Sequence, residues 1–133
     1  MAQLESTSSE LVLDVRSLCV DFDTKSGPVR VLDDISFTLK AGSTLGIVGE
    51  SGCGKSTTGL AILRLLDNVE GTVRFDGIDV LGLEAEELRR LRRRMQIVFQ
   101  DPYSSLNPRQ TAENTIRGPL NIQNVGCTVE RNE

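Results

Sequence analysis

Residues 49–57 read Gly49, Glu50, Ser51, Gly52, Cys53, Gly54, Lys55, Ser56, Thr57, the G-x-x-x-x-G-K-[ST] spacing of a loop that cradles phosphate. Glycines at 49, 52 and 54 permit left-handed or crowded dihedrals, so that successive backbone N–H groups can turn inward onto phosphate oxygens. Lys55 would bring a point charge to the β and γ phosphates, and the Ser56 hydroxyl would ligate the Mg²⁺ that bridges them. The plainer alternative is a Gly-rich strand-to-helix turn with a surface lysine. Cys53 is a thiol in this nest, either favoured as thiolate by the surrounding donors or a small residue in a tolerant position.

The flanking elements support the phosphate reading. The apolar run at 44–48 predicts a buried strand, and residues 58–66 predict a helix with Leu60, Ile62, Leu63 and Leu66 on its apolar face. The positive end of that helix dipole would face the same anion as the loop. Upstream, residues 11–23, 29–32 and 35–39 read as strands, with a turn at 25–28 and Asp33-Asp34 between the last two. Residues 72–75 and 78–80 form a hairpin across Asp76-Gly77, placed in the same small, mostly antiparallel sheet. The fold class is therefore α/β, a P-loop core with an N-terminal antiparallel β subdomain.

Downstream, residues 83–94 predict a helix with Glu84, Glu86 and Glu87 in its first turn and Arg89, Arg90, Arg92, Arg93 and Arg94 in its last. The basic run reads as a solvated helix end rather than a nucleic-acid or lipid site, because Leu88, Leu91 and Met95 form an apolar face and no aromatics interleave. Residues 96–99 predict a short strand, 100–108 an exposed loop, and 111–116 a weak helix broken by Gly118-Pro119. Residues 1–10 read as a polar, frayed tail.

The 133 residues suit one domain, and a net charge of −4 without histidine gives no global reason to expect nucleic acid or anionic lipid as a partner. Cys19, Cys53 and Cys127 are odd in number and lack metal-ligand spacing, which favours a reducing, cytosolic compartment. The N-terminus does not read as a signal peptide, and no stretch approaches the roughly 18 apolar residues of a spanning helix, so direct membrane insertion is not expected.

The segment from Gln96 to Arg109, Gln-Ile-Val-Phe-Gln-Asp-Pro-Tyr-Ser-Ser-Leu-Asn-Pro-Arg, resembles the glutamine loop of ABC transporter ATPases, specifically the dipeptide and oligopeptide importer group. The segment from Gly46 to Thr57 resembles that group's Walker A segment, and Val31 to Phe37 resembles the strand preceding it; the likeness spans about residues 11–125. The resemblance implies ATP and Mg²⁺ as cofactors, with Gln100 contacting the Mg²⁺ or the attacking water and reporting nucleotide state to a helix of a membrane subunit. Phe22 stands where the family places an aromatic that stacks on adenine; as a residue of the small sheet it could equally belong to the core. Expected partners are transmembrane permease subunits and a second ATPase subunit arranged head to tail. The permease would hold the protein on the inner face of the plasma membrane. Short peptides are the implied cargo, although similar ATPases serve nickel or other small solutes.

Other family elements, the Leu-Ser-Gly-Gly-Gln signature, the apolar run ending in Asp-Glu and the switch histidine, do not occur in these 133 residues. Residues 11–133 thus read as a partial nucleotide-binding domain that binds nucleotide and, alone, hydrolyses it poorly. Two alternatives stay open. One is a truncated, catalytically inactive nucleotide binder. The other is a different P-loop enzyme such as a small kinase, since Ile97-Val-Phe-Gln-Asp101 imitates an apolar strand ending in a Mg²⁺-binding Asp. Pro102 and the residues after it favour the glutamine loop, with Asp101 as a turn residue. Unpaired strand edges would make the isolated chain poorly soluble.

Overall fold

The computed structural model describes residues 11–101 and 105–123, so the predicted tail at 1–10, Pro102 to Ser104 of the predicted loop, and Cys127 lie outside the described residues. The chain divides into two compact units, Met1–Arg92 and Arg93–Glu133.

The first unit is built on a four-stranded antiparallel sheet in the order β2-β1-β3-β4, comprising β1 (Leu11–Thr24), β2 (Gly27–Lys40), β3 (Val69–Phe75) and β4 (Ile78–Asp79). Thr24 pairs with Gly27 across a tight turn in which the Thr24 hydroxyl accepts from the Ser26 N–H at 3.2 Å and donates to the Gly27 carbonyl at 2.6 Å. Asp76 and Gly77 both have positive φ, 48° and 78°, as the two-residue turn of the β3–β4 hairpin requires.

β2 is one strand where the sequence suggests two. Asp33 and Asp34 face the single residue Cys19 between the pairs Leu18↔Ile35 and Val20↔Leu32, so they form a bulge instead of a break. Asp34 takes φ 51°, and its N–H donates to Cys19 Sγ at 3.3 Å. A second bulge at Arg16-Ser17 explains why the buried residues of β1 are Val15, then Leu18 and Val20. Inserting one residue moves the inward face from odd to even positions. These side chains form the core together with Leu32, Val73, Val80, Ala61, Leu63, Leu88 and Leu91.

Two helices complete this unit, α1 (Lys55–Ile62) and α2 (Ala85–Leu91). Both are shorter than the sequence suggests. α1 stops where Arg64 adopts φ 52°: the Arg64 N–H bonds to the Ala61 carbonyl at 2.9 Å and the Leu65 N–H to the Leu60 carbonyl at 2.9 Å, a Schellman closure with arginine where glycine is usual. The buried α1 residues are Thr58 and Ala61, with Leu63 just beyond; Leu60, Ile62 and Leu66 are only half-buried. In α2, Leu88 and Leu91 are buried as the periodicity predicts.

The predicted strands at 44–48 and 96–99 do not form in the described residues. Val48 is 92% exposed and Val98 95% exposed. A strand is a pairing relation, and neither segment belongs to the sheet that the described residues build.

The second unit contains α3 (Ala112–Gln123), which runs through the expected break at Gly118-Pro119. Its start is fixed by Thr111, whose hydroxyl accepts from the Asn114 N–H at 3.2 Å, and Glu113 pairs with Arg117 one turn on. Pro119 leaves the carbonyl four residues back without an intrahelical donor, yet its fixed φ is compatible with helix.

Candidate phosphate-binding site

Residues 49–54 leave the exposed segment 44–48 and enter α1, whose first residue is Lys55. Gly54 is the N-cap with φ 90° and ψ 3°, and no side chain caps the helix. The first N–H groups of α1 therefore have no side-chain acceptor at their head, where positive dipole potential also gathers. Gly52 has φ 84°. A Cβ on Gly49 would collide with Cys53 Sγ, and one on Gly54 would lie 2.5 Å from Leu32 Cδ2 and 3.5 Å from the Val31 carbonyl oxygen. Gly54 is demanded by both close approach and φ, whereas a side chain at Gly49 would require the Cys53 thiol to move aside.

Lys55 folds back over this loop. Its Nζ donates to the carbonyls of Gly49 at 2.8 Å and Glu50 at 2.5 Å and lies 3.3 Å from Cys53 Sγ. The ammonium thus sits at the loop mouth, beside the same turn that carries the inward glycines. Beneath it, buried Thr58 donates its hydroxyl to the Gly54 carbonyl at 2.9 Å, parallel to its own N–H at 2.8 Å, which fixes the first turn. Glu50, Ser51, Gly52, Cys53 and Ser56 are exposed and Thr57 is half-buried, so the loop is open to a ligand.

Phe22 lies on β1, 40% exposed, and pairs with Val29 of β2, which is 50% exposed. Phe22 is therefore not a core residue. Val29 stands three residues before Leu32, the residue under Gly54, or roughly 10 Å along the strand. The hairpin thus places an exposed aromatic and the phosphate loop in one unit, joined through β2.

Gln100 is exposed and belongs to the second unit. Next to it, the Asp101 carbonyl accepts the Ser105 hydroxyl at 2.7 Å, and the Asn107 side chain accepts the Arg109 N–H at 3.0 Å, contacts typical of turns. Among the described residues no group of three or more His, Cys, Asp or Glu could hold a metal ion, and no helix is long and apolar enough to cross a membrane.

The arginine run behaves less uniformly than its sequence suggests. Arg89 and Arg90 face solvent and pair with Glu86 at 2.9 and 3.4 Å, and the Arg89 hydrogen bond, with both positive charges, pulls the Glu86 carboxyl down to about 2. Arg92 instead turns onto the end of α1: its Nε and Nη2 donate to the Leu63 carbonyl at 3.1 and 3.0 Å, and Nη2 donates to the Arg64 carbonyl at 2.7 Å. Nothing in a run of like charges distinguishes this arginine from its neighbours, so the sequence conceals it.

A family model described as ABC transporter matches residues 32–132. The chain is 50% identical over 113 residues to the oligopeptide transport ATP-binding protein AppF of Bacillus subtilis, covering 84% of this chain and 34% of that protein. It is 46% identical over 121 residues to the oligopeptide transport ATP-binding protein OppF of the same organism, covering 90% and 40%. The chain therefore spans well under half the length of these relatives. Among solved structures, the dimeric MJ0796, a bacterial ABC transporter cassette, superimposes with a TM-score of 0.73 at 28% identity over 90% of this chain and 52% of that one. The same cassette is similar in a post-hydrolysis state bound to ADP and Pi, with a TM-score of 0.72.

Proposed function

Because this chain belongs to the ABC transporter family, we propose that it is the nucleotide-binding part of an ATPase subunit that energises peptide import. The single observation that carries the nucleotide reading is the loop at 49–57, where Gly49 packed against Cys53, the positive-φ Gly54, an uncapped helix start and the Lys55 ammonium converge. These groups fit a chain of phosphates. Backbone donors and helix dipole would hold the α and β phosphates, and Lys55 would exchange carbonyl contacts for the β and γ oxygens. Ser56 is next in line to ligate Mg²⁺, while the role of Gln100 toward that ion comes from the resemblance of its segment to the family's glutamine loop. Phe22 would stack on the base, which its exposure on the hairpin whose Leu32 packs under Gly54 favours.

Phosphoryl transfer needs little covalent chemistry from a protein beyond positioning and charge neutralisation. Within this chain the positioning groups for phosphate are present, whereas the signature and the carboxylate that orients water are not in its sequence. Binding with slow turnover is the expected behaviour of the chain by itself. Peptide import is the task named for AppF and OppF, and it comes to this chain through that likeness. Permease subunits, a second ATPase subunit and a place on the inner membrane face complete the proposal.

The test is a titration with a fluorescent ATP analogue, with and without Mg²⁺, on the chain and on Lys55→Ala, with phosphate release followed in the same samples. Lys55→Ala should lose about thirtyfold or more in affinity, the scale of removing one partner of a close charge pair. Unchanged affinity in the variant overturns the reading.

A further inference from the structure

We propose that Arg92 is a positioning residue of the phosphate site, acting through α1. The proposal rests on the nucleotide reading of residues 49–57 and deepens it. α1 has eight residues, with Gly59 inside it, no side-chain N-cap, no acid in its first turn and no base in its last. Helices shorter than about 12–15 residues do not hold themselves in water, and an interior glycine weakens them further. The helix must therefore be held from outside.

At its N-terminal end the restraint is Leu32, packed where Gly54 has no side chain. At its C-terminal end the Schellman closure satisfies the carbonyls of Leu60 and Ala61 and leaves those of Leu63 and Arg64 to be met by other donors. Arg92 meets both with one guanidinium. A planar fork spans two carbonyls in a way that a lysine ammonium does not, and its charge complements the negative end of the dipole. The tie is reciprocal, because the Arg64 side chain donates to the Leu83 carbonyl just ahead of α2. α2 is thus fastened to the end of α1 from both of its own ends, while Leu88 and Leu91 are buried between them in sequence. α1 is only about 12 Å long, so a tilt at Leu63 displaces the N–H groups at Gly54 and Lys55. Donors misplaced by about 1 Å lose much of their effect.

The experiment compares affinities of MgATP, MgADP and adenosine, by competition against the fluorescent analogue, for the chain, Arg92→Met, Arg92→Lys and Arg90→Met. Arg92→Met should weaken MgATP and MgADP about tenfold while adenosine changes less than about twofold, since adenosine makes no phosphate contact. Arg92→Lys, which keeps the charge without the fork, should recover only part of the loss, and Arg90→Met, which removes the same charge from the same helix, should leave all three ligands within about twofold. A loss shared equally by adenosine, a loss matched by Arg90→Met, or no loss overturns the proposal. Where Arg92→Met does not fold, Arg92→Gln replaces it: its amide reaches one carbonyl, so an intermediate, phosphate-selective loss is expected and an unchanged affinity overturns. Lys55→Ala in the same series separates the two levels, since unaltered MgATP binding there refutes the nucleotide site itself, whatever Arg92 does.

Discussion

Leu32 Cδ2 fills the space that a Cβ on Gly54 would need, 2.5 Å from where that carbon would stand. Leu32 is 3% exposed and anchored in β2, so it has little room to retreat. Gly54 also holds φ 90°, which an L-residue adopts at a cost. Gly54→Ala should therefore destabilise the first unit by about 2–4 kcal/mol, combining overpacking with backbone strain. It should also abolish nucleotide binding. Chemical denaturation of Gly54→Ala, Leu32→Ala and the double variant measures the coupling: Leu32→Ala should relieve the steric part and leave the strain. Strict additivity would mean the two residues do not meet.

Cys53 gives a chemical readout of the same loop. It is exposed and its Sγ lies 3.3 Å from Lys55 Nζ, whereas Cys19 is half-buried and accepts the Asp34 N–H. Maleimide should label Cys53 faster than Cys19, and MgATP should slow Cys53 alone, because a bound phosphate and the redirected Lys55 would cover the thiol. Peptide mass spectrometry after timed quenching reads both rates. Identical Cys53 rates with and without nucleotide would remove the loop from the binding site.

Much of this was legible in the sequence because it is local. The spacing from Gly49 to Ser56 dictates a loop with its own backbone demands, and Asp76-Gly77 dictates a turn by φ alone. The bulges were not legible: Arg16-Ser17 falls inside a run that reads as one strand, Asp33-Asp34 reads as a break, and only the partner strand shows an inserted residue with pairing resumed at both places. The apolar runs at 44–48 and 96–99 have strand composition without the partners that turn composition into a strand. Arg92 was hidden for a different reason. Five arginines in six positions give one periodicity signal, and which of them finds carbonyls depends on where the end of α1 lies.

Acid should act on α2 through Glu86. Its carboxyl is held at about 2 in the folded chain, first by the Arg89 hydrogen bond and then by the charges of Arg89 and Arg90, against an ordinary 4.5. The folded state thus binds fewer protons than the unfolded one between these values. The pair's contribution is present above pH 4.5 and fades as pH falls toward 2. Glu86→Gln should melt below the unaltered chain at pH 6, and the gap should close as the pH approaches 2. Salt should narrow it too, because Glu86 faces solvent. A gap that widens in acid would contradict the pairing.

Val48 and Val98 predict how the chain behaves at high concentration. Each is the most exposed residue of an apolar run, 92% and 95% exposed, and each run has strand-forming composition without a partner strand among the described residues. Exposed apolar segments of strand-forming composition recruit other copies. Burying one such valine between chains is worth about 1.5–3 kcal/mol, so several contacts along the two runs must act together to offset the cost of association. Light scattering should therefore rise steeply with concentration, and Val48→Lys together with Val98→Lys should suppress it. Because neither side chain is buried, folding stability should move by no more than about 0.5 kcal/mol. If the unaltered chain stays monomeric where the double lysine variant does, these segments are not its sticky edges.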